Sequence, residues 1–263
     1  MYIPTFVPGD DPGPDFAALL RREGLSPAAP QSPVTAAGPI THGTTVVAIR
    51  YADGVVMAGD RRATSGNFIS HRSIEKVFAA DRWSGVAIAG AAGPAMEMVK
   101  LFQLQLEHYE KLEGGSLSLE GKANQLSQMV RSHLPAAMQG LAVVPLFAGY
   151  DQRREIGRLF QYDITGGRYE ENDYATSGSG GLHAATVVKL GFTEGAHRDQ
   201  TLELALRALV TAADEDSATG GPDPRRNIWP VVATIDAAGF TRVEDSELAR
   251  IYQALMGGEG SGS

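Results

Sequence analysis

Cysteine is absent from this chain of 263 residues. Its absence excludes disulfide bonds, a thiol nucleophile and any metal site with cysteine ligands. Disulfides are common in secreted proteins and rare in the reducing cytosol. The composition is compatible with that compartment, and we expect a cytoplasmic protein.

Long apolar runs and an excess of positive charge are absent as well. No apolar run approaches 18 residues, so the sequence predicts no membrane-spanning helix. The first six residues have neither the basic nor the apolar part of a secretory signal. The net charge of −8 argues against a partner held by neutralised nucleic-acid phosphates. We therefore expect neither a membrane nor a nucleic acid as a partner.

The spacings typical of metal, nucleotide and serine-triad sites are also missing. No two of the six histidines form the i, i+4 pair of a metal-binding helix. The glycine-rich run Gly178-Ser179-Gly180-Gly181 is neither a Walker loop nor a dinucleotide fingerprint, and it lacks the outer spacing of a Gly-x-Ser-x-Gly nucleophile elbow. We expect no metal and no cofactor. The histidines are His42, His71, His108, His133, His183 and His197.

Proline is concentrated at the start of the chain, where residues 1–43 contain 8 of the 14 prolines. Each proline removes a backbone donor and restricts the residue before it, so little regular structure is expected beyond a short helix at 15–22. A disordered leader is one interpretation and a removable pro-segment is the other. We predict a pro-segment at 1–43, a domain at 44–263, and a flexible Gly/Ser tail from about residue 257.

From Thr44 the pattern becomes that of a folded domain: strands, two helices, strands, two helices, strands and a last helix. The first two strands, 45–51 and 55–58, flank Asp53-Gly54, which is a strong hairpin signal. Several helix faces need a sheet to cover, and several strands are apolar on both faces. We therefore predict an α+β fold, a four-layer αββα sandwich of two packed antiparallel sheets flanked by helices. The stripe predicted for the first helix is Val99, Phe102, Leu106 and Tyr109, and Ser118 is the predicted N-cap of the second.

The Gly43-Thr44 junction lies where the leader ends and the first strand begins. Cleavage there would leave Thr44 as a new N-terminus, which places a hydroxyl nucleophile and an amine base on one residue. The alternative is that Thr44 and Thr45 merely begin a strand, as β-branched residues often do. The dipeptide by itself does not decide between them.

Five motifs in order resemble those of catalytic proteasome β subunits, in particular the actinobacterial ones, over residues 44 to about 255. The match starts with Thr44-Thr45-Val46-Val47-Ala48 and continues without a gap through the segments around Asp60, Lys76 and Gly90. The more distal segments are Gly178-Ser179-Gly180 and the run 216–221. The family usually has serine where Thr219 stands.

The resemblance implies an N-terminal nucleophile hydrolase in which Thr44 attacks the scissile carbonyl after self-cleavage behind Gly43. Lys76 would keep the Thr44 amine unprotonated, Asp60 would hold Lys76, and the Gly90 N–H would receive the oxyanion. The remaining implied residues fix Thr44 and a water, or line the substrate pocket. The first set is Ser179, Asp216 and Thr219; the second is Ala63, Thr64, Ile88, Ala92 and Met96.

The resemblance also implies partners: a homo-heptameric β ring stacked with α-subunit rings, a regulatory ring ATPase, and unfolded proteins as substrates. Three alternatives remain open, namely a ring subunit that assembles without cutting, a peptidase of the double-hexamer type, and a stand-alone amidohydrolase. A non-cutting subunit would lack Thr44, Lys76 or Gly90, and all three are present.

Overall fold

The computed structural model describes residues 43–65 and 68–259. The predicted leader with its short helix lies outside these residues except for Gly43, as do the last four residues of the tail. The strands are β1 Thr45–Tyr51, β2 Gly54–Gly59, β3 Ala63–Ser65, β4 Phe68–His71, β5 Val77–Asp81, β6 Ser84–Gly90, β7 Val143–Asp151, β8 Ile156–Tyr162, β9 Arg168–Glu171, β10 Tyr174–Gly178, β11 Val231–Asp236 and β12 Gly239–Arg242. The helices are α1 Ala92–Glu113, α2 Leu119–Ser132, α3 Leu134–Ala137, α4 Gly181–Gly191, α5 Arg198–Glu215 and α6 Asp245–Glu259.

Two five-stranded antiparallel sheets form the centre of the molecule. The first has the strand order β10-β1-β2-β11-β12 and the second has the order β5-β6-β7-β8-β9. Strands β1 and β2 form the hairpin predicted from Asp53-Gly54, with Tyr51 paired to Gly54. Strands β3 and β4 form a separate small hairpin.

Three hydrophobic clusters fill the three spaces between four layers. Apolar residues of both sheets, such as Ala48, Met57 and Leu146, meet in the middle cluster. A second cluster joins the outer face of the second sheet to α1 and α2, and the third joins the first sheet to α4, α5 and α6. The predicted four-layer αββα fold is confirmed.

The structure corrects several details of the predicted elements. Tyr109 was predicted to face the core, but it is 39% exposed. The last buried residue of α1 is Leu106, and every residue from Glu107 to the end of the helix is exposed. The apolar stripe of α1 therefore extends beyond the part of the helix that packs on the second sheet. The element order predicted from the sequence does not resolve the short strands β3, β4 and β5 or the division between β9 and β10. Helix α6 ends at Glu259, so it includes the first residues of the tail that was predicted to be flexible from about residue 257.

The predicted N-cap of the second helix agrees with the structure. The Ser118 side chain accepts a hydrogen bond from the Gly121 N–H at 3.1 Å, so Ser118 is the N-cap of α2. Within the residues that are described, no helix is long and apolar enough to cross a membrane.

The two sheets approach each other backbone to backbone at Gly54 of β2 and Gly157 of β8. A Cβ added at Gly157 would lie 2.5 Å from the carbonyl carbon of Gly54, which leaves no room for a methyl group. We expect Gly157→Ala to lower the free energy of unfolding by about 1–3 kcal/mol, the usual cost of overpacking a core. Chemical denaturation of the full chain measures this.

The matched control is Gly257→Ala in α6, where an added Cβ would meet nothing within 4 Å. Because alanine is favoured over glycine inside a helix, this variant should be as stable as the parent or slightly more stable. Equal stability of the Gly157→Ala variant would show that the sheets can separate there without cost.

Candidate active site

Strand pairing brings the predicted site residues to Thr44. Strand β1 pairs with β10 through Thr45 and Gly178, and with β2 through Val46 and Gly59. Because both partners are antiparallel to β1, the ends of β2 and β10 lie beside its beginning. Asp60 follows β2 and Ser179 follows β10, so both side chains reach the start of β1.

Thr44 lies between Gly43 and β1 and is only 3% exposed. Its Oγ1 donates a hydrogen bond to the carbonyl oxygen of Gly43 at 2.7 Å. A Cβ added at Gly43 would lie 2.0 Å from the Cβ of Ala218, so the residue before Thr44 has space only for glycine. The candidate nucleophile therefore contacts the peptide bond that cleavage would have to break.

Asp60 and Lys76 form a buried ion pair next to this peptide bond. The Lys76 Nζ lies 2.6 Å from Asp60 Oδ1, and the two side chains are 6% and 0% exposed. The ammonium also donates to the carbonyl oxygens of Arg62 at 2.6 Å and Gly43 at 3.3 Å. All three Lys76 protons thus have acceptors, and one acceptor is the candidate scissile carbonyl.

The Asp60 carboxylate is saturated with donors. Besides the Lys76 ammonium it accepts the backbone N–H groups of Thr45 at 2.8 Å, Arg62 at 2.9 Å and Gly220 at 2.9 Å. A buried carboxylate is stable only when hydrogen-bond donors and a counter-charge replace the water that it has lost. One side chain thereby fixes three separate segments around the ion pair.

Burial lowers the pKa of the Lys76 ammonium, and Asp60 opposes that effect by its charge and its hydrogen bond. The positive charge of Arg62 lowers the Lys76 pKa further. The ion pair therefore holds a lysine that gives up its proton more readily than an exposed one.

A second group of predicted residues, Ser179, Asp216 and Thr219, is joined by hydrogen bonds next to Thr44. Asp216 ends helix α5 as its C-cap. Its Oδ2 accepts hydrogen bonds from Ser179 Oγ at 2.5 Å and Thr219 Oγ1 at 2.7 Å. Partial burial by itself would raise the pKa of Asp216, but these hydrogen bonds and one from the Ala218 N–H lower it, so the carboxylate is ionised at neutral pH.

Ser179 connects this group to the candidate nucleophile. Its hydroxyl donates its single proton to Asp216, and its oxygen accepts the Thr44 N–H at 3.2 Å. The nitrogen that cleavage would convert into the free amine is thus already held by a hydrogen bond.

Gly90, the predicted oxyanion donor, ends β6 with a φ of +113°. A Cβ there would lie 2.1 Å from the Ala142 carbonyl oxygen, so both the backbone conformation and the space require glycine. Gly90 and Thr44 line the same cavity.

Four of the five predicted pocket residues line this cavity, and the walls also include two residues that the sequence did not indicate, Ile74 and Ala95. Thr64 is not among the lining residues. Its Oγ1 instead accepts the Gly43 N–H at 3.3 Å. The four predicted residues that line the cavity are Ala63, Ile88, Ala92 and Met96.

Residues missing from the predicted set also belong to the site. Arg62 is one of them: its carbonyl oxygen accepts a hydrogen bond from Lys76, and its guanidinium donates to the Ser217 carbonyl oxygen at 2.9 Å. Thr45 was interpreted as a strand residue, but its hydroxyl bonds to Thr219. No sequence signal marks these contacts, because they join segments distant in the chain. Among the described residues, no three His, Asp or Glu side chains gather as a metal site.

Comparison with known proteins agrees with these motifs. A family model described as "Proteasome subunit" matches residues 40–223. A protein named "Proteasome subunit beta" from Acidimicrobium ferrooxidans is 57% identical over 255 residues, which cover 97% of this chain and 93% of that protein. Proteins of the same name from Streptomyces griseus and Jonesia denitrificans are 53% and 56% identical, over 95% and 81% of this chain and 89% and 71% of theirs.

The buried ion pair makes a testable contribution to stability. Asp60→Asn would leave the Lys76 charge buried without a counter-charge, so we expect the free energy of unfolding at pH 7 to fall by about 3–5 kcal/mol. Without Asp60 the pKa of Lys76 falls further, whereas unfolded lysine keeps its ordinary pKa. Between the Lys76 pKa of the folded variant and the higher one of the folded wild type, only the variant gains stability as the pH rises, so the loss should shrink as the pH is raised from 7 toward the wild-type Lys76 pKa.

Denaturant unfolding at several pH values measures this effect. Asp199→Asn is the control, because Asp199 pairs with Arg198 at 3.0 Å but is 87% exposed. A surface pair of this kind contributes about 0–1 kcal/mol. A loss for Asp60→Asn as small as that of the control, or one that does not change with pH, would contradict the account of Lys76.

Proposed function

The chain belongs to the proteasome subunit family, and we propose that Thr44, released by cleavage after Gly43, is its catalytic nucleophile. The chain is a catalytic β subunit of a 20S proteasome core and a threonine peptidase. It assembles into the core with α subunits.

One observation carries the assignment of Thr44: a single carbonyl oxygen, that of Gly43, accepts from both Thr44 Oγ1 and Lys76 Nζ. A nucleophile and a cation therefore converge on the bond whose cleavage would release the amine. Oγ1 would attack the Gly43 carbonyl carbon, and the developing oxyanion would remain beside the Lys76 ammonium, which stabilises its charge.

Self-cleavage then proceeds as an acyl shift. The bond between the Gly43 carbonyl carbon and the Thr44 nitrogen breaks, the nitrogen takes up the proton lost by Oγ1, and an ester links Gly43 to Oγ1. Water hydrolyses this ester and releases residues 1–43. Because Ser179 already holds the nitrogen, the new amine remains next to the hydroxyl that it must activate.

Peptide hydrolysis uses the same groups with the amine as base. An α-amine has an ordinary pKa of about 7.7–8.0, close to working pH. The Lys76 charge disfavours a second cation nearby, so the amine stays neutral and can accept the Oγ1 proton. The Gly90 N–H binds the oxyanion of the substrate, while Asp216, which also accepts from Thr219, holds Ser179 in place.

For the assembly we propose homo-heptameric β rings stacked between α rings, with a regulatory ring ATPase that supplies unfolded chains. The leader would mask Thr44 until the rings have formed. A β subunit that assembles without cutting is not supported, because Thr44, Lys76 and Gly90 all line the same cavity.

Intact mass and peptide hydrolysis of assembled particles test the assignment together. We expect wild-type β subunits to begin at Thr44 and to hydrolyse an apolar fluorogenic peptide. Thr44→Ala should keep the leader and be inactive. Lys76→Ala should slow both reactions by orders of magnitude, and Lys76→Arg should fail as well, because a planar guanidinium cannot replace three convergent ammonium donors.

Lys122→Ala is the matched control, since Lys122 is 4% exposed and its Nζ lies 2.5 Å from Asp81 Oδ2, away from Thr44. This variant removes an equally buried lysine and should keep processing and turnover in those particles that assemble. Active particles that retain the leader, or full activity of Lys76→Ala particles, would refute the assignment.

The cavity beside Thr44 has a consequence for specificity. Apart from the fully paired Lys76, the side chains around it are uncharged. Burying an unpaired charge costs several kcal/mol, so we expect peptides with Leu, Phe or Tyr before the cut to be hydrolysed at least about tenfold faster than those with Asp or Lys.

A peptide panel measures this preference. Met96→Ala widens the cavity and should shift the preference toward larger side chains, whereas Met138→Ala, at a residue 81% exposed, should not. Faster cleavage after Asp or Lys would mean that a surface other than this cavity determines the cleavage preference.

A further inference from the structure

Thr45, the residue after the nucleophile, makes two hydrogen bonds that point in different directions. Its backbone N–H donates to Asp60 Oδ1 at 2.8 Å. Its Oγ1 lies 2.6 Å from Thr219 Oγ1. Thr45 and Thr219 are both fully buried, so neither hydroxyl exchanges its partner with solvent. Thr45 therefore contacts both groups of site residues, the ion pair on one side and the Asp216 group on the other.

The direction of the threonine–threonine hydrogen bond follows from counting protons. Asp216 is an ionised carboxylate and can only accept, so the Thr219 hydroxyl spends its one proton on Asp216 Oδ2 at 2.7 Å. Only lone pairs of Thr219 Oγ1 remain for Thr45. The Thr45 hydroxyl is thus the donor, and a directed chain runs from Thr45 through Thr219 to Asp216.

The same chain reaches the nucleophile from its other end. Asp216 accepts the Ser179 hydroxyl, and Ser179 accepts the Thr44 N–H. Two branches therefore meet at Asp216, and within each branch the hydroxyl that accepts one hydrogen bond donates the next one more strongly. Thr44 is consequently held at its nitrogen by Ser179 and, through the peptide bond, by a residue that is itself fixed at two points.

The hydrogen-bonded hydroxyls of Thr45 and Thr219 lie directly against the backbone turn at Gly180. A Cβ at Gly180 would lie 2.3 Å from Thr45 Oγ1 and 2.7 Å from Thr219 Oγ1. No water fits where a methyl group does not, so the Thr45 hydroxyl has no substitute for Thr219 on that side. A glycine is required there by the two hydroxyls rather than by the turn itself.

We propose that Thr45 is a positioning residue for the reaction of Thr44, and that its hydroxyl locks the Asp60–Lys76 pair and the Asp216 group into one arrangement around the nucleophile. This inference rests on the proposed function of Thr44. Thr45 lies outside the cavity and does not contact the scissile carbonyl, so it acts through its neighbours and takes no part in bond making.

Thr45→Val and Thr45→Ser, made in the full chain and tested as assembled particles, separate the hydroxyl from the shape of the side chain. Valine keeps the branched shape and removes the donor; serine keeps the donor. For Thr45→Val we expect kcat per processed chain to fall about tenfold, the kinetic equivalent of one hydrogen bond, with KM unchanged within about twofold. Thr45→Ser should recover most of kcat. Intact mass gives the fraction of chains that begin at Thr44.

Thr201→Val is the control, because the Thr201 hydroxyl is equally buried and donates to the His197 carbonyl oxygen at 3.1 Å. It lies 15 residues before Asp216 in α5, about 22 Å away along the helix. The Thr201→Val variant should lose as much stability as Thr45→Val does, but it should keep the wild-type kcat. The proposal is also supported if Thr45→Val particles assemble but keep their leader while Thr201→Val particles lose it.

Two results would overturn the inference: wild-type kcat in processed Thr45→Val particles, or a loss in Thr45→Ser as large as that in Thr45→Val. If Thr45→Val does not assemble, Thr45→Ala removes the same donor without adding bulk and is judged by the same criteria. An inactive wild-type particle that begins at Thr44 would instead refute the proposed function, so the two failures are distinguishable.

Discussion

The buried ion pair between Asp60 and Lys76 is the interaction on which the rest of the site depends. Two charges taken out of water are stable only if every donor and acceptor is satisfied. Asp60 meets this requirement with three backbone N–H groups and Lys76 with two backbone carbonyl oxygens, one of them that of Gly43. The hydrogen bonds that the buried pair requires thus fix the segment around Gly43 and Thr45, the turn after β2 and the loop after α5.

The two-sheet architecture supplies these partners. β1 lies between β2 and β10 in one sheet, so the strand that begins at Thr45 is flanked by the ends of two antiparallel neighbours. Helix α5 packs on the same sheet, and its C-cap Asp216 accepts a hydrogen bond from Ser179 beside Thr44. The second sheet contributes Gly90 at the end of β6, and the walls of the cavity beside Thr44 include the segment before β1, the end of β6 and the start of α1. A rigid core therefore positions groups that come from six parts of the chain.

Agreement between sequence and structure is uneven, for physical reasons. Alternating and helical apolar patterns predicted the four layers, because burial of one face decides which residues are apolar. The same pattern was wrong at Tyr109, since periodicity does not reveal where the covering layer ends. Motif resemblance indicated Asp60, Lys76, Ser179 and Asp216, and the structure brings them together around Thr44. It placed Thr64 in the pocket, whereas the structure places Thr64 against the Gly43 N–H.

The sequence by itself determined the layer order, the Gly-Thr junction at the start of a strand, and the residue types able to act as nucleophile, cation and oxyanion donor. These features are local, since they depend on spacing, on φ and on the chemistry of single side chains. Only the tertiary structure decided which groups satisfy one another: the Lys76 ammonium on the Gly43 carbonyl oxygen, the Arg62 carbonyl oxygen beneath it, and the Thr45 hydroxyl on Thr219. Those contacts join residues up to 174 positions apart, and a hydrogen bond between such residues exists only once packing has fixed both ends.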